Sequence, residues 1–452
     1  MILTIPPEVL LRLLSDLDAL TLIRLKHVCR YLYDIITSDV SLIYKVELYH
    51  VGMADDPTVF TTLSISERLQ KLRTFLQRRQ EVFIDHWKEK TVTQKASLIG
   101  TYSSGLFVRR VQGAFWFMHL GTVWNHWNYR VSTTEYRGFR VDYNQNLLLV
   151  MDFVEGHICF RPCGAQDGKQ HPLARVPYFL GQGEDARWDT VSLFEDVIAT
   201  MIPDDQGAVC IEILNWKQGI TVTSIDIRDV DHCAFTFVDS SHLLLWCHNE
   251  EDITSELRVY ELPDTNAASQ PKLALILPIA KIPGKQIEYL GGIFSNGYRS
   301  IPPQHRRVLP FRSSNDDAVI ALLAMTPWAW SAVLVFPRSG ILSLLDKRTS
   351  FPTIVEWGTW PQWTLYWHSD SPSKIRAHGS RVGINSYSLN DISIYEFSGR
   401  RFSKNASPLG GPVGFPPPIE SRVGALRDFE LDDDLLAVDG IDGNLTIGKV
   451  YI

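Results

Sequence analysis

The chain has 452 residues, 45% of them hydrophobic and 21% charged, with a formal net charge of −7. That length suits two or three domains, the composition is that of an ordinary globular protein, and the negative balance argues against a general nucleic-acid binder. Six cysteines (Cys29, Cys159, Cys163, Cys210, Cys233 and Cys247) are too few for a disulfide scaffold and read as buried free thiols in a reducing compartment.

Residues 4–48 carry a helical pattern. Pro6 and Pro7 suit a first helical turn, where a missing N–H costs nothing, and Glu8 favours the positive end of the helix dipole. Val9, Leu10, Leu13, Leu14 and Leu17 follow at helical spacing, and Asp18 closes the helix. Thr21 is the expected N-cap of a second helix with Leu22, Leu25, Val28, Cys29 and Leu32 at its apolar positions. A third short turn holds Ile35 and Ile36. A segment of 45 residues buries a poor fraction of its surface alone. Two or three helices cannot hide both the Leu10–Leu14 and the Leu22–Leu25 faces, and each side chain gains roughly 1.5–3 kcal/mol only once out of water. The remainder is expected to lie against the rest of the chain or a partner.

A polar link follows at 51–62. Ser64-Ile-Ser-Glu67 then reads as a capping box, with Ile65, Leu69, Leu72 and Leu76 at three- and four-residue steps and an end expected near Arg79–Gln80. This helix would bridge the N-terminal piece to the body and fix the distance between them.

From about Tyr102 the pattern becomes short apolar runs bounded by Gly, Asp, Asn, Ser and Pro. Leu147–Val150, Val209–Ile211, Leu243–Trp246, Val319–Leu322, Val382–Ile384 and Leu435–Val438 each follow a polar turn. Alternating runs come after some of them, at Leu257–Leu262, Ile392–Phe397 and Leu445–Val450. A buried run followed by an alternating one suits successive inner and outer strands of a propeller blade; a pair of β-sandwiches is the competing fold. In a closed ring the last strand, from Leu445, would share a sheet with an early one such as Ala114–Met118.

No G-x-S-x-G, G-x-x-x-x-G-K-[ST] or H-E-x-x-H pattern occurs, so no catalytic residue is assigned. Cys159 and Cys163 with His157 and His171, and Cys233 and Cys247 with His232 and His248, are weak zinc groupings set against buried thiols. Asp432-Asp-Asp434 reads as a tight turn rather than a calcium cradle. No metal or cofactor is expected. Aromatic groups stand at Trp124, Trp127 and Tyr129, at Trp328 and Trp330, and at Trp357, Trp360, Trp363, Tyr366 and Trp367. Of these, Trp357, Trp360 and Trp363 are the candidate partner-binding surface, because Gly and Pro break the stretch and tryptophan dominates binding hot spots. Residues 1–20 lack a secretory pattern and no run of about 18 apolar residues exists, so a cytoplasmic or nuclear chain without a membrane span is expected.

The order Pro6-Pro-Glu-Val-Leu10, Leu13-Leu14, Leu17-Asp18, Leu22, Leu25, Val28-Cys-Arg30, Leu32-Tyr33 and Ile35-Ile36 resembles the F-box motif almost end to end. Ser41 to Pro57 is similar to the extension of many fungal F-box proteins, with Tyr44 about where a tryptophan is usual. The resemblance implies docking on the Skp adaptor of a cullin ubiquitin ligase through Ile5, Pro6, Val9, Leu10, Leu13, Leu14, Leu22, Leu25 and Val28. The β-rich part resembles the degenerate WD-like propellers of such proteins, although Trp-Asp and Gly-His signatures are not in register. The expected organisation is a small all-α F-box domain (1–50), a linker with a helix (51–100) and an all-β propeller of six to eight blades, seven favoured (101–452). The implied function is substrate recognition in a Skp–cullin–F-box ubiquitin ligase, without enzymatic activity, nucleic acid or membrane. The alternatives are an F-box scaffold with no role in degradation and a propeller hydrolase.

Overall fold

The computed structural model describes residues 5–55, 63–85, 92–93, 100–103, 106–111, 113–119, 125–131, 133, 136–155, 157–181, 191–203, 209–249, 251, 254–263, 270–279, 289–294, 311–313, 318–325, 331–348, 351–356, 365–369, 372–378, 381–386, 391–396, 419–422, 426–431, 435–440 and 444–449. Helices α1 (Pro7–Ser15), α2 (Ala19–Lys26), α3 (Arg30–Ser38), α4 (Val40–His50) and α5 (Ile65–Asp85) come first, and α6 (Arg338–Asp346) lies within the β-rich body. The expected capping box forms at the start of α5. Ser64 N–H and Oγ reach Glu67 Oε2 at 2.8 and 2.7 Å, and Glu67 N–H donates back to Ser64 Oγ at 3.3 Å. The helix continues past the expected end, to Asp85.

The body is a β-propeller. Among the described residues it holds seven antiparallel sheets built on four-stranded meanders. Sheet I is Gly100–Ser103, Leu106–Val111, Ala114–His119 and Asn125–Arg130; sheet II is Tyr136–Asp142, Leu147–Val154, His157–Gly164 and Phe179–Leu180. Sheet III is Ser192–Phe194, Val197–Pro203, Val209–Asn215 and Ile220–Ile227; sheet IV is His232–Asp239, His242–Asn249, Thr254–Glu261 and Lys272–Ile279, extended by a parallel strand at Thr353–Ile354. Sheet V is Tyr289–Phe294, Val319–Met325, Ser331–Pro337 and Leu365–Ser369; sheet VI is Pro372–His378, Arg381–Ser386, Asp391–Glu396 and Ile419–Arg422. Sheet VII takes Leu426–Leu431, Leu435–Gly440 and Asn444–Lys449 from the C-terminal end of the chain and Val92–Thr93 from the linker. The first strands of neighbouring sheets touch from I to II and from III through VII, which marks them as the innermost.

Both faces of sheets II, III and IV are covered, and that explains their unbroken apolar runs. In Leu147–Val154, Leu148 and Val150 join Leu106, Val108, Phe115 and Phe117 between sheets I and II. Leu147, Leu149 and Met151 on the same strand join Ile198, Leu214 and Trp216 between sheets II and III. Strand alternation therefore sends successive side chains to two different interfaces. Sheet IV repeats the device: Leu243, Leu245 and Cys247 face sheet III, while Leu244, Trp246, Leu257 and Val259 face sheet V. Five of the six expected apolar runs are the second strands of their sheets, and Val209–Ile211 opens the third strand of sheet III.

The partner of the last strand differs from the expected one. Ala114–His119 is flanked in sheet I by Leu106–Val111 and Asn125–Arg130, so both its edges are occupied. Val92–Thr93 takes the place instead, with Val92 opposite Leu445 and Thr93 opposite Asn444. Thr93 and Gly100 are seven residues apart, a reach of about 25 Å at most. The chain thus holds the last sheet to the first across that short link. Among the described residues no helix is long and apolar enough to cross a membrane.

His171, between sheets II and III, is buried and has both ring nitrogens engaged. Nε2 lies 2.8 Å from the Gln145 carbonyl, and Nδ1 accepts from Leu173 N–H at 3.2 Å. That pattern fixes a neutral tautomer with the proton on Nε2. Burial lowers its pKa, against the Gln145 carbonyl, which favours the charged form.

Two outcomes follow. Truncation after Gly440 removes the third strand of sheet VII and the seat of Val92–Thr93; the body is expected to become protease-sensitive and aggregation-prone, and an unchanged melting curve would reject this form of closure. Because folded His171 protonates at lower pH than it does unfolded, the unfolded chain binds the extra proton first and stability falls as pH drops below about 6.5. Denaturant midpoints at neutral and acidic pH should show a smaller acid loss in His171→Gln than in the parent chain.

Candidate docking surface on the N-terminal helices

The N-terminal unit encloses its own core. Leu10 and Leu14 of α1, Leu22 of α2, Leu32 and Ile36 of α3, and Leu42 and Val46 of α4 pack into one cluster, with Ile5, Leu11, Leu17, Ile23, Leu25, Tyr31 and Ile35 partly buried around it. The fourth helix makes this possible, since it supplies the surface that two or three helices lack. Caps hold the helices at their angles. Asp18 does not close α1; it is the N-cap of α2, and its carboxylate accepts from Thr21 N–H at 2.9 Å and Thr21 Oγ1 at 2.6 Å. Those bonds lower its pKa, the Thr21 side chain first. Asp39 caps α4 through Ser41 N–H and Leu42 N–H. Lys45 Nζ reaches from α4 to the Ser15 and Leu17 carbonyls at 2.9 and 2.6 Å, where a cation suits the C-terminal end of α1.

Of the nine residues assigned to adaptor docking, Leu10, Leu14 and Leu22 are therefore turned inward, 6%, 2% and 0% exposed. Their side chains build the unit and are not its outer face, a correction to the sequence reading. Ile5 and Leu25 are half-buried, and Pro6, Val9, Leu13 and Val28 are exposed. Val9 and Leu13, one turn apart on α1, are 50% and 54% exposed, and Val28 between α2 and α3 is 65% exposed. Sequence reasoning missed Leu20 and Tyr33, which also face outward, with Lys26 Nζ 5.5 Å from the Tyr33 ring centre. Six of the thirteen exposed large apolar side chains among the described residues fall between Val9 and Val40, so outward apolar surface is concentrated on this unit.

The unit is joined to the body by more than a tether. Met53–Asp55, just after α4, pairs antiparallel with Phe311–Ser313, a strand inserted between the first two strands of sheet V. Helix α5 packs on α4 and also runs against Ile419–Arg422 of sheet VI. Asp55 ties the corner together: it accepts from Tyr44 Oη at 2.8 Å and from Arg68 Nη1 at 3.1 and 3.0 Å. Arg68 is 7% exposed and also donates to the Leu63 carbonyl. Burial, reinforced by the Asp55 carboxylate, pushes the Tyr44 phenol up and keeps it neutral. Arg73 adds a forked pair to Glu47 of α4, closest at 2.6 Å.

The remaining candidates are structural or lie elsewhere. Trp127 and Tyr129 stack on Phe117 and donate to the Ala165 and Gly164 carbonyls, which packs sheet I on sheet II. Cys159 and Cys163 are buried on one strand, and both nitrogens of His171 are taken by backbone groups. His232 and His248 pair on the face opposite to Cys233 and Cys247. Trp124, Trp328, Trp330, Trp357, Trp360, Trp363 and Asp432-Asp-Asp434 lie outside the described residues.

Comparisons with known proteins give the following. A family model described as F-box-like matches residues 2–48. No curated protein matches the chain. Among solved structures, the chain is similar to Hsv2 of Kluyveromyces lactis (10% identity, 75% of this chain and 88% of that one, TM-score 0.44). It is also similar to the β-propeller domain of Myceliophteria thermophila Cps50 (Swd1) (14%, 80% and 98%, TM-score 0.45) and to that of the Trilobed protease from Pyrococcus furiosus (7%, 79% and 98%, TM-score 0.42). The chain combines a helical unit matched by that family model with the β-propeller body described above. The helical unit is an F-box-like domain, and F-box domains generally bind the Skp adaptor.

Asp55→Asn keeps the shape of the corner but removes the carboxylate charge to which Arg68 Nη1 donates at 3.1 and 3.0 Å. A cost of about 1–3 kcal/mol is expected in denaturant unfolding, below that of a fully buried pair because Asp55 is partly exposed. Tyr44→Phe should cost about 1 kcal/mol.

Proposed function

We propose that this chain is the substrate receptor of a Skp–cullin–F-box ubiquitin ligase, acting in the cytoplasm or nucleus and carrying no catalytic chemistry of its own. The supporting observation is an F-box-like unit whose leucines form a closed core while Val9, Leu13, Leu20, Val28 and Tyr33 stay in contact with water. Such a set of outward apolar side chains is a docking surface, and the Skp adaptor is the partner that an F-box generally takes. Pro6, Val9, Leu13 and Val28 make the contact, with Ile5 and Leu25 at its margin, and Leu10, Leu14 and Leu22 hold the helices in place beneath it.

The propeller body holds a protein target. The gain is proximity: a target fixed near a ubiquitin-charged enzyme meets it at a high effective concentration, with no intrinsic barrier lowered by this chain. The Asp55 corner and the Met53–Asp55 strand support that role, because a fixed angle between the two halves presents the target in a constant position.

Two double variants separate docking from folding. Val9→Asp with Leu13→Asp should abolish co-purification of the Skp adaptor and leave the melting midpoint within a degree or so of the parent chain, surface changes being small in energy. Leu10→Ala with Leu14→Ala should unfold the helical unit, since each buried leucine truncated costs about 2–5 kcal/mol. Full adaptor binding by the first variant would refute the assignment.

A further inference from the structure

Sheet IV sets two cysteines face to face. Cys233 on its first strand is the register partner of Cys247 on its second. Directly opposed residues of an antiparallel pair share one face, with Cα atoms about 4.5 or 5.5 Å apart according to the pair type. Both separations fall in the range of about 4.4–6.8 Å that a disulfide spans. The two side chains point to the interface with sheet III, where Cys247 is buried and Cys233 packs beside it, partly exposed. Met201 of sheet III approaches from across the interface, its Sδ 4.0 Å from Cys233 Sγ. The two sulfurs are not bonded to each other. None of the other four is placed this way. Cys159 is opposite Asp152 and Leu180, Cys163 opposite Leu148, Cys210 opposite Ile202 and Asp226, and Cys29 is the exposed residue ahead of α3.

We propose that Cys233 and Cys247 are a redox-responsive pair, which an oxidant of the hydroperoxide class converts to a disulfide stapling the first and second strands of sheet IV. Cys233, the more accessible sulfur, reacts first. Its thiolate attacks the O–O bond of the peroxide, giving a sulfenic acid and releasing one water (or the alcohol, for an organic peroxide). The Cys247 sulfur then displaces hydroxide from that sulfenic sulfur. The S–O bond breaks, the S–S bond forms, and the hydroxide leaves as a second water with the Cys247 proton. Two thiols lose one electron each, and the peroxide gains two. The inference stands apart from adaptor docking and holds whether or not the target reading does.

The surroundings set the rate. Burial pushes the Cys233 thiol up to about 12 and holds Cys247 protonated as well, with the Arg258 guanidinium working the other way at Cys247. Thiolate is the reacting form, so the staple forms slowly at neutral pH and faster as pH rises. A thiol that reacts slowly but has its partner already opposite closes to the disulfide before a second oxidant arrives.

The test uses the full chain, treated with hydrogen peroxide at neutral and mildly alkaline pH, then unfolded and alkylated. The expected result is two fewer alkylated cysteines, a peptide linking 233 to 247, full reversal by dithiothreitol and a faster rate at the higher pH. Cys233→Ser and Cys247→Ser should each lack the linked peptide, the Cys247→Ser chain carrying Cys233 forward to sulfinic acid. The proposal is overturned if all six cysteines remain alkylatable while Met201 is oxidised, if Cys233 passes to sulfinic acid in the parent chain, or if the link forms only in urea.

Discussion

The body depends on one constraint: sheets II, III and IV are apolar on both faces. Leu147–Val154 sends Leu148 and Val150 one way and Leu147, Leu149 and Met151 the other, and each set lies at or near zero exposure. A sheet of that kind cannot end a row, because its outer face would leave several large side chains in water at roughly 1.5–3 kcal/mol each. The arrangement that gives every sheet two neighbours is a ring. The ring in turn needs a lock, since seven meanders held only by side-chain contacts can open between the last sheet and the first. Val92–Thr93 supplies it by joining the strand at Asn444–Lys449. Val92–Thr93, between α5 and sheet I in the sequence, is therefore part of the propeller.

Much of this is legible in the sequence where residues repeat with a period. Leu243-Leu-Leu-Trp246 and Val319-Ile-Ala-Leu322 announce buried strands because both faces are covered, and Ser64-Ile-Ser-Glu67 announces a helix start because the reciprocal bonds need those two side chains three apart. The misses share a cause. Val92–Thr93, Met53–Asp55 and Phe311–Ser313 are strands of two or three residues. So short a strand shows no alternation, and its identity comes from a partner hundreds of residues away. No local pattern carries that information.

The exposed apolar face of the helical unit was half legible for a related reason. Helical spacing reveals that α1 has a wide apolar stripe, but not how much of it other helices will cover. Val9 and Leu10 are neighbours in sequence and equally apolar, yet one is half exposed and the other enclosed, because α4 lies over the Leu10–Leu14 side. The same limit misplaced the cap: Thr21 and Asp18 are both good N-cap residues, and Asp18 takes the role because α2 starts at Ala19, which brings Thr21 N–H within reach of its carboxylate.

The join between the two halves is the point at which fold becomes function. A single covalent link leaves a small domain free to swing relative to the body. Here the α4–α5 corner adds a second constraint, the Tyr44–Asp55–Arg68 set, and the pairing of Met53–Asp55 with an insertion of sheet V adds a third. The three act in different directions. Strand pairing fixes the line of the chain, the buried guanidinium fixes α5 against it, and the contact of α5 with Ile419–Arg422 limits rotation about that line. A charged corner suits this task better than an apolar one, since a carboxylate that satisfies a phenol and a guanidinium together is met in only one geometry. An apolar contact of equal strength would tolerate sliding. The side chains that set the angle between the helical unit and the propeller are thus few and polar.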